Sequence, residues 1–292
     1  MPITTVAILS PGDMGHAVGR SLGEHGIDVI TCLRGRSDRT RDLASKAGIR
    51  DVPTLEDMVA AADLVLSILV PADAVEVARQ VAEAMRTTGE DTALADCNAV
   101  SPQNAAVMEA NITAAGGRFV DASIIGGPPT AGYAPNVYVS GAHAGIMSEL
   151  DGMGINVVHL GDQIGRASGI KMCYGALTKG TFALHAALLT AAEAMGLSAE
   201  LGAELRHSQD DAYRRMQAQL PRLPAKAFRW IGEMDEIAST FDHLGVTPYF
   251  HQGAAEMYRL MSETPFARET AETVDQDRDL EQTIAAMVRL LT

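Results

Sequence analysis

Two groups of residues in this 292-residue chain have the types and spacing of an anion site. The first is Ser10-Pro11-Gly12-Asp13-Met14-Gly15, which follows the apolar run TTVAIL at 4–9 and precedes a helical pattern at 16–26. A tight turn between a strand and a helix collects backbone N–H groups and the positive end of the helix dipole at one point. Gly12 lets backbone approach a pyrophosphate, and Gly15 lets the helix pack against the strand. The turn reads S-x-G-x-x-G, so Ser10 must tolerate a Cβ where the dinucleotide fingerprint G-x-G-x-x-G has a glycine. The second group is Arg34, Arg36, Ser37 and Arg39, which follow another apolar run, IDVITCL at 27–33. A site for NAD places an acidic residue here, about twenty residues after the turn, to bind the ribose 2′-hydroxyl. Guanidinium groups instead suit a 2′-phosphate, which arginine grips bidentately. Together the two groups predict NADP (NADPH) as the cofactor.

A third candidate is Lys171, inside a proline-free, Ala- and Leu-rich stretch at 165–196 that is long enough for a helix of roughly 45 Å. Lys171, Tyr174, Gly175, Thr178 and His185 recur at intervals of three, four and seven and share one helical face. The remaining positions are apolar almost all round, which predicts a helix covered by other elements. A lysine there reaches the rim, pairs with a carboxylate, or has a functional task. Thr178 and His185 read as structural, and Arg229 with Glu233 reads as an i,i+4 ion pair.

The elements that must position these residues follow from length and pattern. At this length two domains are expected, with boundaries at 1–163 and 164–292. In the first, apolar strands alternate with helices at 40–47, 54–62, 72–85 and 101–115, the last capped by Ser101 with Pro102 in its first turn. That alternation predicts an α/β, doubly wound parallel sheet, the Rossmann arrangement. Ligands in such sheets sit beyond the carboxyl ends of the strands, here at residues 10–15, at Val70 and Pro71, at Asn98, and at Ile124–Pro129, which contains Ile125, Gly126 and Gly127. From residue 198 on, every pattern is helical, at 199–220, 224–240, 247–263 and 268–291, so the second domain is expected to be all-helical.

Composition sets the remaining bounds. A formal charge of −14 argues against nucleic acid or an anionic membrane as partner, so any anion site must be local. Cys32, Cys97 and Cys173 are far apart, sit in apolar surroundings and lack metal-ligand spacing, which predicts buried thiols in a reducing cytoplasm and no metal. No stretch reaches the length of an apolar transmembrane span.

These motifs, taken together, resemble the β-hydroxyacid dehydrogenase superfamily, which includes phosphogluconate and 3-hydroxyisobutyrate dehydrogenases, over nearly the whole chain. The resemblance rests on the Met before the last glycine of the turn, on Asp96-Cys97-Asn98, on the Gly126-Gly127 loop and on the helix start from Gly165 to Lys171. The segment from Pro224 to Met234 resembles a helical domain of unassigned function that follows such nucleotide domains. The resemblance implies that Asn98 lies beside the nicotinamide, that Ile125, Gly126, Gly127 and Lys171 contact a small-molecule substrate, and that hydride moves to or from it. It further implies that Lys171 is the general acid/base, with a pKa depressed by burial beside the cofactor, and that Tyr174 is a second hydrogen-bonding or proton-donating group. Family members are commonly dimers, and the long apolar helix is consistent with a homodimer. Five positions depart from the family: Ser10, Ala167, Ile125 in place of a serine, and Tyr174 and Gly175 in place of two asparagines. The departures keep two alternatives open, an NADPH-dependent imine or opine-type reductase and a non-catalytic nucleotide-binding protein.

Overall fold

A computed structural model describes residues 2–270 and 272–291, which divide into two compact units, 1–172 and 173–292. The first unit is built on one eight-stranded sheet of order β3-β2-β1-β4-β5-β6-β7-β8. Its elements in chain order are β1 (Thr5–Leu9), α1 (Gly15–Glu24), β2 (Asp28–Thr31), α2 (Asp38–Lys46), β3 (Arg50–Asp51), α3 (Leu55–Ala61) and β4 (Leu64–Ser67). They continue as α4 (Ala74–Thr88), β5 (Ala93–Asp96), α5 (Pro102–Thr113), β6 (Arg118–Ile125), β7 (Asn136–Ser140) and β8 (Asn156–His159).

The continuous apolar strands have a simple cause, since both faces of the sheet are covered. On β1, Val6 and Ile8 join one buried cluster with Val18, Leu22 and Val120, while Ala7 and Leu9 join another with Met58, Val81 and Met108. Burying each large side chain stabilises the sheet by about 1.5–3 kcal/mol before chain entropy is counted. Helix starts are set by local chemistry: Ser37, Thr54 and Ser101 each accept the N–H of the residue three further on. The sheet is parallel except for β6 and β7, which pair antiparallel. Only five residues of β7 return alongside β6, through the turn around residues 126–135, so no crossover helix intervenes.

A long helix, α6 (Arg166–Ala194), leads into the second unit. That unit continues with α7 (Ser198–Ser208), α8 (Asp210–Gln219), α9 (Pro224–His243), α10 (Tyr249–Ser262) and α11 (Leu280–Val288). The partly buried Trp230 stacks on Phe182 with ring centroids 6.3 Å apart and meets the buried Tyr258 edge-on at 5.3 Å. The Tyr258 hydroxyl donates to the Lys179 carbonyl at 2.7 Å.

Four expectations, three of them about helices, need correction. The segment 199–220 is two helices, because Gln209 leaves helical geometry at φ −139°. The segment 268–291, in which Ala271 lies outside the described residues, is helical only from Leu280. Arg278 is buried there in a bidentate pair with Glu269, and Asp279 with Gln282 forms a capping box that starts α11. Next, α6 is not covered all round, since Leu177 and Leu184 are 67% and 63% exposed. Finally, the thiols are not all buried: Cys97 is, whereas Cys173 is exposed on α6.

Candidate active site at the carboxyl ends of the strands

One register row crosses the sheet at its carboxyl end: Leu9 pairs with Ser67, Ser67 with Asp96, Asp96 with Asp121, and Asp121 with Ser140. Partners in a row point to the same face, so four polar side chains lie side by side, all of them buried. Buried polar groups must be satisfied locally, and these are. Asn98 donates to Ser67 Oγ at 2.9 Å and to Asp96 Oδ1 at 2.6 Å, while its own Oδ1 accepts from the Leu69 N–H at 2.6 Å. The amide is thereby locked, and it ties the end of β5 to the loop after β4 that carries Val70 and Pro71.

Asp96 is buried, and desolvation pushes its carboxyl up to about 7; hydrogen bonds from Asn98 and Ser67 oppose that rise and the neighbouring Asp121 charge adds to it. Burial also pushes the Cys97 thiol far up, so it is not a nucleophile. Asp121 is surrounded by donors instead. Its Oδ2 accepts from Ser140 Oγ at 2.8 Å and from the N–H groups of Gly165, Ala167 and Ser168 at 2.8, 3.2 and 3.2 Å. Its Oδ1 accepts from Ser168 Oγ at 2.5 Å. Three residues further along β6, the Ile124 carbonyl accepts from Lys171 Nζ at 2.6 Å. Ile125 ends that strand, and Gly126 follows at φ 134°, where a side chain would be strained. The Gly127 N–H donates to the Tyr133 hydroxyl at 3.2 Å, which braces the loop from below.

The glycine turn fits a dinucleotide. A Cβ on Gly15 would meet the Ser10 carbonyl at 3.1 Å and Ile8 at 3.2 Å, closer than ordinary packing, so α1 approaches the strand closely. Ser10 itself sits at φ 61°, in the left-handed region, where the family places a glycine. Arg39 pairs with Asp13 of the turn at 2.5 Å. Beside the end of β2, Leu9, Cys32, Arg34, Arg36, Leu55 and Val77 line a cavity of about 240 Å³. Arg34 and Arg36 thus share a pocket with apolar neighbours, while the Ser37 hydroxyl is engaged as the cap of α2. Tyr174 lies one turn beyond Lys171 on α6 and is half exposed.

The residues around Asp121 and Ser140 were missed in the sequence, although a lone carboxylate inside the apolar run 119–125 is itself a signal. Glu233 is also placed differently from the expected pairing with Arg229. It forms a buried ion pair with Lys179 of α6, which lies over the Trp230 ring.

A doubly wound sheet with a glycine turn at its first carboxyl end, followed by a helical unit, is the architecture of a dinucleotide-binding protein. Residues 5–161, more than half of the chain, match the NAD binding domain of 6-phosphogluconate dehydrogenase, and the chain belongs to that family, within the β-hydroxyacid dehydrogenase superfamily. Residues 192–261 match a domain of unknown function, DUF1932. An uncharacterized 28.5 kDa protein of Methanothermus fervidus is 29% identical over 60% of this chain and 66% of its own length. A 3-hydroxyisobutyrate dehydrogenase of Mycobacterium tuberculosis, solved with L-serine, shares the fold at TM-score 0.66, with 19% identity over 99% of this chain and 100% of its own. A Streptomyces aurantiacus imine reductase shares it at TM-score 0.55, with 16% identity over 99% of both chains. Among the described residues, no helix is long and apolar enough to cross a membrane.

Proposed function

We propose that the chain is an NADP-dependent oxidoreductase acting on a small hydroxy acid or its carbonyl counterpart, with Lys171 as general acid/base. The observation that carries this reading is the Lys171 ammonium held at the Ile124 carbonyl, immediately before the Ile125-Gly126-Gly127 loop. The Ser10–Gly15 turn would hold the pyrophosphate and Arg34 with Arg36 the 2′-phosphate, while Asn98, locked by Ser67 and Asp96, would face the nicotinamide together with Val70 and Pro71. The bound nicotinamide supplies or accepts the hydride. Lys171 takes the hydroxyl proton in oxidation and returns it in reduction, and main-chain N–H groups at Gly126 and Gly127 orient a substrate acid group.

A second reading, reduction of a C=N bond, is favoured by Gly175. No amide side chain stands there to hold a hydroxyl, which leaves the half-exposed Tyr174 as an additional proton donor. We also propose a homodimer. Ile170, Leu177 and Leu184, seven residues apart, make an exposed apolar stripe along α6, and Leu177 and Leu184 line an apolar groove of about 540 Å³ with Phe250. The three free thiols fit a reducing cytoplasm.

Titration with NADPH and NADH, followed by nicotinamide fluorescence, tests the cofactor. A screen of hydroxy acids, keto acids and cyclic imines in both directions tests the reaction, with Lys171→Met as control. The expected result is tight NADPH binding in both proteins and turnover lost in the variant. Binding of neither nucleotide would overturn the reading.

A further inference from the structure

We infer that Asp121 is the positioning residue of Lys171, acting through the first turn of α6. The inference rests on the reading above that Lys171 moves the proton, but its geometry lies within the first unit. The start of a helix carries N–H groups with no intrahelical partner. At α6 three of them, from Gly165, Ala167 and Ser168, are satisfied by one carboxylate on a neighbouring strand. Two hydroxyls, of Ser140 and Ser168, complete five donors on the same group. A buried carboxylate is costly unless it is so surrounded, and the positive end of the helix stabilises it further.

The arrangement fixes the lysine through a second tether. Asp121 and Ile124 are three residues apart on β6, and Ser168 and Lys171 are three apart on α6. Three residues advance about 10 Å along a strand but only about 4.5 Å along a helix. The long lysine side chain spans that difference to reach the Ile124 carbonyl. Sliding or tilting the helix start would therefore move Nζ off Ile124. The long lysine side chain has many rotamers to lose, so holding it needs such a frame. An asparagine at 121 offers one acceptor oxygen and turns an NH₂ toward donors, so the frame requires the charge, not only the shape.

The test reads the lysine directly and needs no substrate. The sequence has four lysines, Lys46, Lys171, Lys179 and Lys226, and Lys46 and Lys226 are exposed references. Wild type, Asp121→Asn and Ser168→Ala are acetylated with acetic anhydride over a pH series, and each lysine is followed by peptide mass spectrometry. Loss of charge-assisted hydrogen bonds should raise Lys171 labelling relative to Lys46 by roughly tenfold in Asp121→Asn and shift its pH dependence. Lys179 labelling, helicity and NADPH binding should match wild type. A folded Asp121→Asn whose Lys171 labels as in wild type at every pH overturns the inference. Should Asp121→Asn fail to fold, Ser168→Ala decides by the same readout, a rise of about threefold supporting the inference and no change overturning it. If a substrate turns over, Asp121→Asn should lower kcat with little change in KM, and wild-type kcat overturns the inference. If no substrate turns over while Lys171 labelling changes, the reaction reading fails and the positioning stands.

Discussion

Asp96 and Asp121 occupy one register position on neighbouring parallel strands, both buried, yet different sets of donors reach them. Asp121 is ringed by donors, whereas Asp96 keeps its proton up to about 7, chiefly through burial.

This gives a pH prediction. The folded chain holds a proton on Asp96 that the unfolded chain releases near its ordinary value of 3.8. The resulting stability is complete below that value and is lost as pH rises through about 7. Asp96→Asn keeps the shape of the neutral acid but does not ionise. Thermal melts at pH 5 and pH 8 should show a smaller fall in Tm for the variant than for wild type. Equal falls would assign the effect to another group.

Cofactor choice should depend on the β2 end. Arg34→Ala with Arg36→Ala removes two guanidinium groups from the pocket beside β2, each contributing about 1.5–3 kcal/mol as a charge-assisted partner. NADPH binding should weaken at least tenfold, with NADH binding nearly unchanged, as read by fluorescence titration. Equal weakening of both nucleotides would place the 2′-phosphate elsewhere.

Ser10→Gly should stabilise the fold. A non-glycine residue at φ 61° costs roughly 1–2 kcal/mol, so differential scanning calorimetry should show Tm raised by a few degrees. A lower Tm would mean that the serine side chain contributes more than its backbone strain costs.

In the helical unit, Lys179 and Glu233 are only 15% and 7% exposed and form an ion pair, with the Lys179 ammonium over the Trp230 ring. Removing one partner leaves an uncompensated buried charge, so Glu233→Ala should cost about 3–5 kcal/mol in denaturant melts. Lys179→Met with Glu233→Leu should recover most of that loss. A double variant no better than the single one would rule out charge as the cause.

Leu177→Asp with Leu184→Asp puts charges on the exposed stripe of α6. Light scattering should report a dimer for wild type and a monomer for the variant at micromolar concentration, with helicity kept. A wild-type monomer would remove the dimer proposal.

The strands and the glycine turn were legible because their causes are local: apolar runs of strand length, a turn that needs Gly12 and Gly15, and caps at Ser37, Thr54 and Ser101. Lys171 was legible as an odd residue on an apolar helix. The polar row was not, because Ser67, Asp96, Asp121 and Ser140 become neighbours only through sheet register, over separations that no local pattern records. The C-terminal helix was overdrawn for a related reason, since Arg278 folds back on Glu269 and the chain starts its last helix only at the Asp279 cap. Glu233 likewise had a plausible partner on its own helix, while the ion pair it forms is with Lys179, 54 residues away in sequence.

At Gly175 a built Cβ would meet Ile237 at 3.1 Å and the Glu233 carboxylate at 3.5 Å. The space beside Gly175 is filled by the packing of α9, not left vacant. A side chain introduced at Gly175 would crowd Ile237 and press on the partner of Lys179, so this glycine couples the packing of α9 on α6 to the buried ion pair.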